Sequence, residues 1–335
     1  MTIKIAINGL GRIGRCILRA IFELNRQNEF EIISVNGPAS IDEHVHLLKY
    51  DSVHGRFAGE ILAEGNNIII NGHKILLQQE RDLKKLNWQN VDILLECTGK
   101  FNDKSAALAH ISSGGAKKVI VSAPCVDADS VIVYGVNNHA LHANHQVISI
   151  GSCTTNCLAP IAKVLNDNIG IESGFMTTIH SYTNDQRILD GSHKDLRRAR
   201  SAALSMIPSS TGAAKALGLV LPELAGKLDG SAVRVPTPNV SMIDLCFTAK
   251  RDTNIDEINQ LITNNANASM KGVLAVAESK LVSIDFNHNS NSAIFDPFET
   301  RVINKRFCRV IAWYDNEWGF SVRMLDVAKL FAELI

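Results

Sequence analysis

Apolar residues fall in two alternating textures along the first half of the chain. Short continuous runs predict buried strands; stretches with apolar residues every three or four positions predict helices. The run at 4–8 is a strand. Ile17, Leu18, Ile21, Phe22 and Leu24 then mark a helix over 15–26. Further strands are expected at 31–36, 91–97, 118–122, 131–136 and 146–150, with alternating strands over 67–78. Helices are expected at 42–49 and 103–113, the second as a crossover. Buried strands joined by helices predict an open, mostly parallel sheet, complete by about residue 150. The second half reads differently. A helix runs from 153 through 165, a strand over 174–180, and an irregular stretch over 187–203. Strands at 231–235 and 239–249 suggest an antiparallel sheet. A helix at 255–268, a strand at 309–313 and a helix at 321–334 close the chain. No internal repeat or low-complexity segment interrupts this order.

Composition adds bounds. The 335 residues suffice for two domains with ample core. Lys+Arg and Asp+Glu both number 34, so nothing favours nucleic acid or an anionic membrane as a partner. No apolar run is long enough to span a bilayer, and no basic-then-apolar leader is seen. Seven scattered cysteines without a CxxC pair argue against a disulfide framework or zinc site, and for a reducing cytoplasm.

Candidate chemistry gathers at a few places. Gly9, Gly11 and Gly14 form a GxGxxG turn between the first strand and helix, the dinucleotide-binding context. Gly9 allows the tight turn, Gly11 the approach of a pyrophosphate, and Gly14 close helix–strand packing. A carboxylate should follow the second strand to hold the ribose, but Gly37-Pro38-Ala39-Ser40 stands there and Asp42 and Glu43 come later. No lysine or arginine is adjacent in sequence to take a 2′-phosphate. Thr98-Gly99 and Ser122-Ala123-Pro124 lie at strand ends where ligands bind. Ser152-Cys153-Thr154-Thr155 places a thiol at a helix N-terminus, where the macrodipole favours thiolate and free N–H groups bind anions. Cys157, one turn on, reads as structural. His180, ending a strand, is a candidate partner: an imidazolium beside a thiol lowers its pKa and then moves protons. Thr211-Gly212 opens another small-residue helix start. Arg234, charged within a strand, needs a partner or a ligand such as phosphate.

These segments together resemble phosphorylating glyceraldehyde-3-phosphate dehydrogenase along the whole chain. The matches are 8–15, 46–55, 152–160, 180–189, 195–200, 211–215, 234–240 and 313–319. The resemblance implies a Rossmann-type α/β NAD(P)-binding domain at 1–151, with the last segment, 317–335, returning to it. It implies an α+β catalytic domain at 152–316 with a mainly antiparallel sheet. Cys153 would be the nucleophile and His180 its activator and base. Ser152, Thr154, Thr211 and Gly212 would bind inorganic phosphate; Thr183 and Arg234 would bind the phosphate of the substrate, glyceraldehyde-3-phosphate. Arg12 and Ile13 would present the pyrophosphate turn, with Arg81, Thr98, Ser122 and Asn316 as further NAD contacts. The loop 191–203 would reach a neighbouring subunit in a homotetramer. No metal is implied.

Three departures stand out. Gly151 replaces the family's usual alanine. Gly37 replaces the ribose-binding aspartate. Gly191-Ser192 stands where NAD-specific members tend to have Leu-Pro. The last two both point to use of NADP as well as NAD. Rival readings stay open: an erythrose-4-phosphate dehydrogenase, which would hydrolyse its thioester; a non-catalytic nucleotide-binding regulator; and a thiol hydrolase, which would leave the glycine turn without a role.

Overall fold

The computed structural model describes residues 2–335. Two compact units emerge. The first comprises residues up to Ile132, Asn138–Gly151 and Ser321–Ile335; the second comprises Val133–Asn137 and Ser152–Phe320.

The first unit is built on a nine-stranded sheet. Its centre is Ile3–Asn8, whose Ile5, Ala6 and Ile7 are fully buried. Phe30–Asn36 pairs with it on one side and Ile93–Glu96 on the other, both parallel. The chain therefore reverses its direction of growth across the sheet at this strand. In parallel α/β sheets such a switch point opens a crevice at the carboxyl ends. Lys118–Val121, Val147–Ser149 and Ser130–Val131 extend the parallel part. His73–Gln78 pairs parallel with Phe30–Asn36, then Asn67–Ile70 and Ile61–Glu64 continue antiparallel.

The strand expected over 131–136 is shorter than its apolar pattern suggested. Pairing stops at Val131. Gly135 takes φ +81°, and Val133 N–H donates to the Asn137 side chain at 2.8 Å. The turn buries Ile132 and Val133 without a ladder, so hydrophobicity there marks burial and not strand. The helix at 42–49 begins at Ile41 because Ser40 and Glu43 form a reciprocal capping box. Arg26 pairs with Asp326 at 2.8 Å and Lys329 with Glu29 at 3.0 Å, so the end of the last helix, Trp318–Ala332, is tied into this unit.

The second unit carries a seven-stranded mixed sheet. In order it runs Ile207–Ser210, Leu228–Val235, Ile171–Ser181, Ser241–Ala249, Phe307–Tyr314, Ala293–Ile303, Leu274–Val276. Most pairs are antiparallel. Ile171–Ser181 with Leu228–Val235 is a parallel pair, as is Leu274–Val276 with Ala293–Ile303. The antiparallel expectation for the 231–235 strand thus fails on one of its two edges: it is antiparallel to Ile207–Ser210 but parallel to Ile171–Ser181. Ser241–Ala249 alternates buried and half-buried residues, as one face of a sheet packed under helices requires. The helix Cys153–Asn168 lies on this sheet with most of its length buried, and touches the helices Ala213–Val220 and Ile255–Asn267. Ala293–Ile303 was not expected. Pro297 and its acidic neighbours disguise it, and its register shifts between Asp296 and Arg301.

A buried polar chain steadies the first unit. Trp88 Nε1 donates to His110 Nδ1 at 3.0 Å, so His110 carries its proton on Nε2 and donates to Glu96 at 3.0 Å. Glu96 also accepts from Asn8 Nδ2 at 2.6 Å. Replacing His110 by leucine leaves a buried N–H and a carboxylate oxygen without this partner, so His110→Leu is expected to cost roughly 3 kcal/mol of stability, measured by urea unfolding. A loss within 0.5 kcal/mol of zero would show the chain to be ornamental.

Candidate active site

Val147–Ser149 ends at the sheet, and Gly151 turns the chain with φ +68° into the helix Cys153–Asn168. Ser152 caps that helix: its Oγ accepts from Thr155 N–H at 3.1 Å. Cys153 is therefore the first helical residue, beside the unsatisfied amides of the first turn. It is half-buried, whereas Cys157 one turn later is fully buried against the carbonyls of Ala312 and Trp313. Cys157 is a packing residue, as the sequence suggested.

His180 comes from the next strand, Ile171–Ser181. Its Nε2 lies 3.5 Å from Cys153 Sγ. The sheet register sets Arg234 directly opposite His180 on the parallel neighbour. Arg234 Nη1 reaches His180 Nδ1 at 2.8 Å and donates to the Ser181 carbonyl at 2.9 Å. The Ser181 carbonyl is also 2.7 Å from His180 Nδ1. When Nδ1 donates to that carbonyl, the Nε2 lone pair faces the thiol, which is the arrangement of a base.

The charge state differs from the sequence expectation of an imidazolium. Burial pushes the His180 pKa down to about 3, and Arg234 and Arg198 push the same way. The pair is a neutral imidazole and a thiol in this form of the protein. Burial likewise pushes the Cys153 thiol up, against Arg234 and the Thr154 N–H and hydroxyl, which favour thiolate. The helix start alone does not ionise this sulfur.

Tyr314 completes the site and was not singled out from the sequence. Its hydroxyl sits 2.9 Å from both Thr154 Oγ1 and Thr178 Oγ1, and its ring meets His180 edge-on. It ties the Cys153 helix to the His180 strand. The Thr154 hydroxyl is thereby turned into the interior, with 4% of the residue exposed. Asn316 is held by its carbonyl, which accepts from Ser181 and Ser241 hydroxyls, both at 2.9 Å. That leaves its amide NH₂ as the end these serines do not use.

The other expected anion contacts lie in the same unit. Thr183 is half-buried just past the His180 strand. Thr211 Oγ1 accepts from Ala213 N–H at 3.2 Å, and Gly212 begins the helix Ala213–Val220 without any side-chain cap. Arg234 Nε is buried and has no partner in the protein.

In the first unit the glycine turn has the shape a dinucleotide needs. A Cβ on Gly9 would lie 2.7 Å from Thr98 N, and Gly9 takes φ +100°. A Cβ on Gly14 would collide with the Gly9 carbonyl, while Gly11 has open space and makes no side-chain cap to the helix Arg12–Glu23. These features fit NAD: the backbone at Gly11 can be approached without meeting a side chain. Ile13 follows Arg12 in the first turn of this helix. The Arg12 guanidinium is held by Asp51 at 2.5 and 3.1 Å, so its contribution to the turn is through backbone. Burial would raise the Asp51 pKa, but Arg12 and the His54 and Val53 amides hold it well below the usual carboxylate range. Thr98 is pinned by Glu96, through N–H at 2.7 Å and Oγ1 at 2.5 Å. Ser122 N–H bonds the Glu96 carbonyl at 3.0 Å. The Arg81 side chain is exposed. Beside Gly37, the structure adds a residue that sequence reading passed over, His44.

A glycine-turn parallel sheet and a thiol–imidazole pair in one chain are the parts of a dinucleotide-dependent, cysteine-dependent oxidoreductase. Comparison with known proteins agrees. Residues 3–104 match the family model described as glyceraldehyde 3-phosphate dehydrogenase, NAD binding domain, and 152–316 match its C-terminal domain. Relatives named glyceraldehyde-3-phosphate dehydrogenase are 54% identical in Xanthobacter flavus and 53% in Cereibacter sphaeroides, each over the full length of both chains. Glyceraldehyde-3-phosphate dehydrogenase 2 of Bacillus subtilis is 49% identical over 98% of this chain and 96% of its own. The chain belongs to the glyceraldehyde-3-phosphate dehydrogenase family.

Arg234 favours the Cys153 thiolate and opposes a charged His180. Arg234→Leu is therefore expected to move the pH midpoint of iodoacetamide labelling at Cys153 upward in the ligand-free protein. An unchanged or lower midpoint would remove Arg234 from the electrostatics of the thiol.

Proposed function

We propose that this chain oxidises glyceraldehyde-3-phosphate with inorganic phosphate to 1,3-bisphosphoglycerate, using NAD and tolerating NADP. The observation that carries the reading is the 3.5 Å approach of Cys153 Sγ to His180 Nε2, with Arg234 against the same imidazole. Cys153 is the nucleophile that adds to the aldehyde and forms a hemithioacetal. His180 Nε2 takes the thiol proton, returns it to the aldehyde oxygen as the hemithioacetal forms, and then takes the hemithioacetal hydroxyl proton as the centre is oxidised to a thioester. NAD, when bound, is the hydride acceptor for that oxidation. Inorganic phosphate then displaces the thiol and leaves as an acyl phosphate.

Residues of the same unit suit this division of labour. Arg234, with an unpartnered buried Nε, and Thr183 hold the phosphate the substrate carries. Ser152, the Thr154 backbone, Thr211 and Gly212 hold the phosphate that enters. Burial depresses His180 most and Arg234 adds to it; a dianion beside Arg234 offsets that second part, so substrate binding itself raises the basicity of the imidazole. Gly9, Gly11, Arg12, Ile13, Gly14, Arg81, Thr98, Ser122 and Asn316 are proposed as the cofactor contacts. Domain limits at 151/152, with 317–335 returning to the first domain, belong to the same reading.

We read the assembly as a homotetramer whose loop 191–203 meets a neighbour. The segment around it exposes large apolar side chains: Ile188, Leu189, Leu196, Leu204 and Met206 are each at least 74% exposed. Ion pairs Arg198–Asp185 and Arg200–Asp190 hold the loop in shape from within. No helix among the described residues is long and apolar enough to cross a membrane. With seven free cysteines, we place the protein in a reducing cytoplasm.

The test is production of reduced nicotinamide from glyceraldehyde-3-phosphate, which should require inorganic phosphate. Turnover that ignores phosphate would favour thioester hydrolysis and contradict the reading. His180→Asn should slow single-turnover hydride transfer roughly a hundred- to ten-thousand-fold while leaving NAD binding unchanged. An unaltered rate would exclude His180 as the base.

A further inference from the structure

The carboxyl end of the strand Phe30–Asn36 is where parallel dinucleotide-binding sheets place the acidic residue that holds the ribose 2′-oxygen. Here Gly37 follows the strand, and no carboxylate stands at that position. Asn36 is committed: its Nδ2 donates to Asn8 Oδ1 at 2.7 Å and to the Glu80 carbonyl at 2.9 Å, and its Oδ1 accepts from Glu80 N–H at 3.0 Å. Gly37 is fixed by donation to the Gln78 carbonyl at 3.1 Å. Glu43 is spent on the capping box with Ser40, and Asp42 is exposed in the first turn of that helix.

The space a side chain at 37 would need is taken by His44, from the same helix, Ile41–Lys49. A Cβ on Gly37 would lie 2.5 Å from His44 Nε2, 2.6 Å from its Cε1 and 3.4 Å from Leu10 Cβ. His44 is 4% exposed, and neither ring nitrogen makes a well-aligned hydrogen bond in the protein, although the Gly37 backbone lies close enough to interact with the ring. A buried imidazole with both nitrogens unmatched is costly unless a ligand completes it. Burial holds its pKa down; the Gly37 backbone and Glu43 favour the cation and Arg15 opposes it. The ring is thus neutral, with the Arg15 guanidinium nearby. That guanidinium comes from the first helix, so adjacency in sequence did not reveal it.

We propose that His44 is the residue of this chain that reads the adenosine ribose of the cofactor: seated where a carboxylate from residue 37 would project, its ring offers a nitrogen to the 2′-oxygen whether that oxygen is a hydroxyl or carries phosphate. This rests on the dinucleotide reading above and assigns the residue behind it. Gly37 and His44 form one steric unit. A side chain at 37 and an imidazole at 44 exclude each other, so cofactor choice depends on the pair and not on position 37 alone.

The experiment is calorimetric binding of ADP-ribose and 2′-phospho-ADP-ribose, with circular dichroism confirming that each variant is folded. The native protein is expected to bind the two within tenfold. His44→Leu should weaken both at least fivefold, and His44→Gln, which keeps a polar group, should weaken them less. Gly37→Asp alone should weaken both, because the new side chain meets the ring. Gly37→Asp with His44→Ala should recover ADP-ribose to within threefold of native and reject the phosphorylated form at least thirtyfold. The proposal is overturned if His44→Leu leaves both affinities within twofold, or if Gly37→Asp alone discriminates as well as the double variant. If the native protein binds neither probe, the dinucleotide reading falls with it; if it binds both and His44 has no effect, only this assignment falls.

Discussion

His180 Nδ1 lies 2.7 Å from the Ser181 carbonyl and 2.8 Å from Arg234 Nη1; in the base tautomer the carbonyl accepts from both, and Arg234 acts on the ring through its charge. Held at that end, the ring can present only Nε2 to Cys153. Two features of the second unit serve this placement. The parallel register that puts Arg234 opposite His180 is a backbone property of two strands. The Tyr314 hydroxyl, shared by Thr154 and Thr178, locks the helix bearing the thiol to the strand bearing the base. The register matters for this reason. A slip of two residues in that register would set Arg234 opposite a residue other than His180.

Charge sets the resting state. A cation beside a buried imidazole holds that imidazole neutral, and the same cation favours a thiolate at Cys153. Burial acts against both charged forms. The ligand-free site therefore rests as two neutral groups in contact, with a buried guanidinium nitrogen awaiting a partner. In the proposed function an anionic substrate supplies that partner. In this account the phosphate of the substrate does more than anchor it; by offsetting Arg234 it tunes the base that will act on the aldehyde end.

Much of this was legible in the chain, for physical reasons that differ by element. The glycine turn could be read because each glycine answers a local steric demand, such as the collision a Cβ on Gly14 would have with the Gly9 carbonyl. The Cys153 helix start could be read because the Ser152 cap is three residues from the amide it accepts. What escaped depends on distant contacts or on neighbouring atoms. Tyr314 acts on residues 160 and 136 positions away. The parallel edge of the 231–235 strand depends on register, which alternation does not encode. The apolar 131–136 segment is buried by a turn, and hydrophobicity cannot tell a buried turn from a strand. Gly37 was noticed as an absence, whereas its meaning lies in the imidazole that fills the gap. The imidazolium expected at His180 failed because sequence does not reveal how deeply the ring is buried, nor that Arg234 and Arg198 add to that effect.

The central claim is that a single sulfur carries the acyl group between oxidation and phosphorolysis. Its most direct measurement is intact and peptide mass spectrometry after mixing the protein with glyceraldehyde-3-phosphate and NAD while withholding phosphate. The account predicts one phosphoglyceroyl group on the peptide bearing Cys153, lost on addition of phosphate and absent in Cys153→Ser. Reduced nicotinamide formed at full rate with no adduct on Cys153, or an adduct on another cysteine, would contradict it.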